Sequence, residues 1–239
     1  MGIPFTVCLR GEVKPAVLDA VFDELRALDA LFSPFIAESA VCRINAGRLD
    51  AASAGPLVRE VIALCEHYGA ATRGYFGAWA FGRFDPTGLV KGWAIARAAA
   101  ILERAGHRDY FVDGAGDVRT RGTRDGDAPW RVGIRHPLDR GEVVVVVGAR
   151  DLAVATSGTY EKGAHIRDPH TGETATDLLS LTVVGPSIVD ADVYSTAAFA
   201  MGAGAMAFIE GVPGYEAYAI GPELEATWTS GFPAYCARV

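Results

Sequence analysis

Four stretches of this 239-residue chain carry more hydroxyls, carboxylates and glycines than packing requires. In Asp190-Ala191-Asp192-Val193-Tyr194-Ser195-Thr196, Asp192 and Thr196 stand four residues apart and share one helical face. A carboxylate with a hydroxyl is the oxygen-only donor set that magnesium takes, completed by water, phosphate or a backbone carbonyl. Asp190 or Asp192 would serve equally well as the cap of a helix opening here. Between Thr156-Ser157-Gly158-Thr159-Tyr160-Glu161 and His165-Ile166-Arg167-Asp168-Pro169-His170-Thr171-Gly172, hydroxyls, two imidazoles and a carboxylate crowd together. Asp-Pro-x-Thr-Gly is turn chemistry and accounts for Asp168 to Gly172. It does not account for His165, whose imidazole suits a structural role or proton transfer near neutral pH.

The other two stretches are glycine-rich. Asp85-Pro86-Thr87-Gly88-Leu89-Val90-Lys91-Gly92-Trp93 leads into a helix, so its backbone N–H groups form an anion site. It lacks the full Gly-x4-Gly-Lys-Ser/Thr phosphate loop, and a plain helix start with an exposed lysine is the simpler alternative. Asp113-Gly114-Ala115-Gly116-Asp117 follows a predicted strand. Its glycines let backbone approach a ligand closely, and Asp117 can accept from a hydroxyl. As a hairpin turn it would be ordinary.

These stretches must be held by regular elements. Residues 4–10 alternate as a first strand, and Val17, Val21, Leu25, Leu28 and Phe32 form a helical stripe behind Pro15. A second helix follows Gly55-Pro56, and a third runs from about Leu89 to Arg104, closed by Gly106. Strands are predicted at 110–112, 118–120, 130–134, 143–147 and 181–184, then a helix over about 190–206 and short strands at 215–220 and 226–229. Strands and helices come in blocks rather than in strict alternation. The expected class is therefore α+β, with largely antiparallel sheets flanked by helices. No Pro/Ser linker divides residues 1–239, which predicts a single domain.

Composition narrows the classes further. Half of the residues are hydrophobic and the mean hydropathy is +0.19, enough for a sizeable core. A net charge of −7 without any basic run argues against nucleic acid as a partner. Cys8, Cys42, Cys65 and Cys236 are scattered without the spacing of a zinc site, as in a reducing compartment. No run approaches the roughly 18 apolar residues of a membrane span, and the first residues lack a leader pattern. The expected location is cytoplasmic for the chain as written, and exported or membrane-associated if a leader has been trimmed.

Taken together, and in this order, the segments resemble the ApbE family of FAD-dependent FMN transferases. Met1-Gly2-Ile3-Pro4-Phe5 looks like that family's Met-Gly-Thr opening strand. Phe32-Ser33-Pro34-Phe35, Glu38-Ser39 and Ile44-Asn45 look like its Ser-x5-Asn segment. Gly88 to Trp93 is similar to its Lys-Gly helix start, and Gly114 to Asp117 to its Gly-Gly-Asp turn. Thr156-Ser157-Gly158-x-Tyr160 with His165-Ile166-x-Asp168-Pro169-x-Thr171-Gly172 is the nearest likeness, and Asp192-x3-Thr196 after Ala191 completes the set. The chain departs from the pattern at Gly77, where an acidic residue is usual, and at Ala96 and Ala115.

The resemblance implies a magnesium ion on Asp192, Thr196 and a backbone carbonyl at Leu89 or Val90. It also implies FAD, as substrate, among Asn45, Lys91, Gly114, Gly116, Asp117, Thr156, Ser157, Gly158 and Tyr160. The implied reaction moves FMN from FAD to a threonine of an acceptor flavoprotein and releases AMP, with His165 as base beside Asp168. With water as acceptor, the same site would be an FAD pyrophosphatase; without chemistry, an FAD-binding protein.

Overall fold

The computed structural model describes residues 2–79, 81–139, 141–159 and 166–237. Seven strands form one antiparallel sheet: β1 (Phe5–Leu9), β2 (Tyr110–Gly114), β3 (Asp117–Arg121), β6 (Ala153–Gly158), β7 (Ser180–Gly185), β8 (Glu216–Ile220) and β9 (Ala226–Trp228), in that spatial order. The hairpin β4 (Trp130–Arg135) and β5 (Val143–Ala149) is separate. Among the described residues six α-helices accompany them: α1 (Pro15–Phe32), α2 (Ala40–Asn45), α3 (Pro56–Ala71), α4 (Thr87–Arg104), α5 (Ile188–Met201) and α6 (Ala205–Glu210). This is the expected α+β architecture.

Strand periodicity divides the interior into two cores. Val7 of β1, Val112 of β2, Ala153 and Ala155 of β6, Leu181 and Val183 of β7, and Ala217 and Ala219 of β8 face the helices. Their neighbours Cys8, Phe111, Val154, Val184, Tyr218 and Ile220 face the β4–β5 hairpin, together with Trp130 and Val147. Both faces of β7 are covered, and all six of its residues are buried.

Three elements differ from expectation. Helix α2 was not foreseen; it is one short turn-and-a-half started by Ser39, whose Oγ accepts from Cys42 N at 3.1 Å. Strand β6 runs through Ala153–Gly158, where small and hydroxylated residues mask the usual apolar alternation. The helix expected over about 190–206 stops at Met201 as α5, and α6 begins separately at Ala205. Gly202 has φ +56°, and the carboxylate of Asp177 stands where a Cβ would lie. The segment Ile188–Glu210 is apolar and long enough by composition to cross a membrane. In this fold it is interrupted at Gly202, and Ala191, Val193, Ala197 and Phe199 are buried in the helical core.

Helices α4 and α5 approach closely because glycine permits it. A Cβ on Gly92 would lie 2.7 Å from Ile188 O and 2.8 Å from Asp192 Cβ. Gly92→Ala is therefore expected to push the helices apart, at a cost of about 1–3 kcal/mol. The melting temperature should fall by several degrees, roughly 2–4 °C per kcal/mol for a chain of this size. An unchanged thermal melt would show that the helices adjust freely.

Candidate active site

The first turns of α4 and the Asp192–Ala200 face of α5 converge on the β2–β3 turn, the end of β6 and residues 166–169, enclosing a cleft of about 450 Å³. Its charged floor joins three elements. Lys91 Nζ of α4 lies 2.5 Å from Asp117 Oδ2 of β3 and 3.4 Å from Asp192 Oδ1 of α5. Asp117 Oδ1 accepts from Thr156 N at 3.0 Å, and Asp192 Oδ2 accepts from Gly92 N at 2.7 Å. Both carboxylates are almost wholly buried, whereas a quarter of the Lys91 side chain is exposed.

One ammonium facing two buried carboxylates leaves a surplus negative charge. Burial, opposed by Lys91 and reinforced by Asp117, pushes the Asp192 carboxyl up to about 7. Burial pulls the Lys91 ammonium down, but the two carboxylates outweigh it and hold it well above the ordinary lysine value. A buried, net-negative oxygen site favours either a proton or a cation.

The residues fit a small hard cation. Asp192 and Thr196 both line the cleft from one face of α5. Ser157 Oγ lies 3.0 Å from Ser195 Oγ and 3.3 Å from Thr196 Oγ1, so hydroxyls surround that face. Among the described residues no group of three His, Cys, Asp or Glu side chains could hold a metal. Any cation here would thus take carboxylate, hydroxyl, carbonyl and water oxygens together, the set that suits magnesium over zinc. Val90 lies within α4, where its carbonyl belongs to the helix ladder and has its second lone pair to offer. Neither Asp190 nor Asp192 caps α5. Ser187 does so, through Asp190 N at 3.3 Å, and the Asp190 carboxylate accepts from the Tyr68 and Tyr215 hydroxyls.

The structure sorts the other expected residues. Gly116, Thr156, Ser157 and Gly158 line the cleft with Lys91. The β2–β3 turn is a two-residue hairpin loop with φ +53° at Ala115 and φ +97° at Gly116, the backbone that favours glycine. Gly114 is a packing position, since a Cβ there would meet Phe5 and Ile95 at about 3 Å. Asn45 is engaged with backbone: Nδ2 donates to Phe84 O at 2.9 Å, and Oδ1 accepts from Phe84 N at 2.7 Å. It fixes the segment that leads into α4. Asp168 holds the foreseen turn, accepting from His170 N at 2.8 Å and, through its carbonyl, from Gly172 N at 2.7 Å. Tyr160 and His165 lie outside the described residues.

The start of α4 is a weaker anion site than expected. Asp85 Oδ1 accepts from Thr87 N, and the Leu89 and Val90 N–H groups both donate to Pro86 O. Lys91, read as an exposed lysine in the simpler alternative, is instead the centre of the buried ion cluster. What the sequence reading missed is the cleft's aromatic and cationic wall. Phe35, Tyr75, Phe76 and Phe81 line it, joined by Arg135 and by Arg167, whose guanidinium sits 4.5 Å from the Phe81 ring centroid. Five aromatics between Tyr75 and Phe84 were the available signal. They suit a flat heteroaromatic ring, and the arginines suit phosphate.

The sequence model of the ApbE family matches residues 82–219. A Vibrio cholerae protein named FAD:protein FMN transferase is 32% identical over 128 residues, covering 49% of this chain and 38% of that protein. A Treponema pallidum protein of the same name is 32% identical over 168 residues, covering 62% and 46%. Matched segments thus span less than half the length of these relatives. Among solved structures, the flavin transferase ApbE from Vibrio cholerae superposes with a TM-score of 0.84 at 20% identity, over 98% of this chain and 96% of that one. The ApbE protein of Thermotoga maritima gives 0.85 at 21% identity, over 99% and 96%.

Proposed function

The chain belongs to the ApbE family, and on that premise we propose that it transfers FMN from FAD to a threonine hydroxyl of an acceptor flavoprotein. The observation that carries this reading is the pairing, in one cleft, of a net-negative oxygen site at Asp192 and Thr196 with an aromatic and arginine wall. The first suits a divalent cation; the second suits a flavin and its phosphates.

The reaction exchanges the phosphoanhydride bond of FAD for a phosphate ester bond to threonine. The threonine oxygen forms a bond to the phosphorus of the FMN half, while the bond from that phosphorus to the bridging oxygen breaks. AMP leaves with that oxygen, and the threonine proton passes to a base, for which His165 is our candidate. Asp192 and Thr196 would hold magnesium, which supplies charge neutralisation on the pyrophosphate and on the leaving phosphate. Tyr75, Phe76 and Phe81 orient the flavin ring and exclude water from the reacting bond. Arg135 and Arg167, on the same lining, offset phosphate charge.

Incubation with FAD, magnesium and an acceptor flavoprotein, followed by intact-mass measurement of the acceptor, tests the proposal. A gain equal to one FMN less one water supports it; release of free FMN with an unmodified acceptor would make the chain an FAD hydrolase instead. The binding step has its own prediction. FAD should raise the melting temperature more than riboflavin does, and magnesium should enlarge the difference, because the cation site and arginines act on phosphate. Equal shifts for the two ligands would show that the phosphates are not recognised.

A further inference from the structure

Lys91 faces two carboxylates, but not evenly. Its ammonium leans on Asp117 at 2.5 Å and stands 3.4 Å from Asp192. The shorter approach is an ion pair rather than an aligned hydrogen bond, since Asp117 Oδ2 has no well-oriented donor. Asp117 cannot swing toward its rival. Its Oδ1 is tied to Thr156 N at 3.0 Å, and its backbone closes the tight β2–β3 hairpin opposite Gly114. With 1% of its surface exposed and no place on the cleft wall, Asp117 is poorly disposed to touch FAD.

Asp192 is held differently. Its Oδ2 accepts from Gly92 N at 2.7 Å, while Oδ1 is the oxygen that faces the Lys91 ammonium, at the longer separation of 3.4 Å. An ammonium directly on Oδ1 would compete with any divalent cation for that oxygen, by occupying it and by repulsion at short range in a low-dielectric site. We infer that Asp117 and Lys91 form a positioning pair, in which Asp117 holds the ammonium off Asp192 and so leaves Asp192 Oδ1 open to a divalent cation. The inference rests on the reading of Asp192 as a cation ligand made above. It assigns Asp117 to the cation site rather than to FAD.

Mn2+ binding to the FAD-free protein, followed by the loss of free-ion electron paramagnetic resonance signal, tests this without turnover. Asp117→Asn keeps an oxygen for Thr156 N–H but releases Lys91 toward Asp192. It should weaken Mn2+ binding about tenfold or more. Adding Lys91→Met to Asp117→Asn removes the competitor and should restore most of the lost affinity. Mere damage to the fold would not be repaired by a second substitution. Asp117→Ser, which also removes the charge that holds Lys91, carries the same expectation should the asparagine variant fold poorly. The inference is overturned if Asp117→Asn binds Mn2+ within about twofold of the unaltered chain, or if the double variant is no better than the single one. Asp192→Asn separates the two levels. If it binds Mn2+ normally, the cation assignment itself fails; if it loses Mn2+ while Asp117→Asn does not, only the positioning role fails.

Discussion

Asp192→Ala is expected to lower FMN transfer by at least about a thousandfold, matching the several kcal/mol that a metal contributes to a developing phosphate charge. The fold should survive. The substitution leaves Gly92 N–H without its acceptor, a buried orphan worth about 1–3 kcal/mol. It also removes the surplus negative charge of the Lys91 cluster and leaves Lys91 and Asp117 as a balanced pair. These effects oppose one another, so the melting temperature should move by only a few degrees. Thr196→Val nearly preserves volume and should weaken cation use more than stability, although Ser157 Oγ loses one hydroxyl neighbour. Rates measured at limiting magnesium and circular-dichroism melts check both halves. A near-normal rate for Asp192→Ala under limiting magnesium would remove the cation from this position.

His165→Asn is expected to slow the chemical step by about 10²–10⁴-fold, the usual cost of losing a general base. FAD-induced thermal shifts should stay unchanged. Only five histidines are present, and the other four are placed elsewhere. His170 is occupied: its Nε2 lies 3.1 Å from Arg73 O and its ring packs edge-on to Tyr75. Nδ1 of His136 accepts from the Leu138 and Asp139 N–H groups in the loop joining β4 to β5. His67 packs against Tyr68 on α3, and His107 follows the end of α4. None of these four lines the cleft, whereas Ile166, next in sequence to His165, does. If the rate fell less than about threefold, or FAD binding collapsed with it, His165 would not be the base. Asp85, the other carboxylate on the cleft wall among the described residues, would be the next group to test.

The sequence by itself determined the parts of this protein that depend on local rules. Helical stripes placed α1, α3 and α4, because a helix must bury one face at 3.6-residue spacing wherever it lies. Turn chemistry placed the Asp168–Gly172 turn and the β2–β3 hairpin, because proline, glycine and aspartate set backbone angles without distant help. The four-residue spacing put Asp192 and Thr196 on one face of α5 for the same reason. Tertiary structure decided what those residues do. Lys91, Asp117 and Asp192 are 26 and 75 positions apart along the chain, and only the meeting of α4, β3 and α5 makes them one cluster. Burial then changes their chemistry, since a charge left without solvent must find a proton, an ammonium or a cation. The same convergence drew Asn45 onto the Phe84 backbone and gathered the aromatic wall from loops with no periodicity to reveal it. Periodicity and turn rules act over a few residues; which side chains share a buried site depends on contacts between elements far apart in sequence.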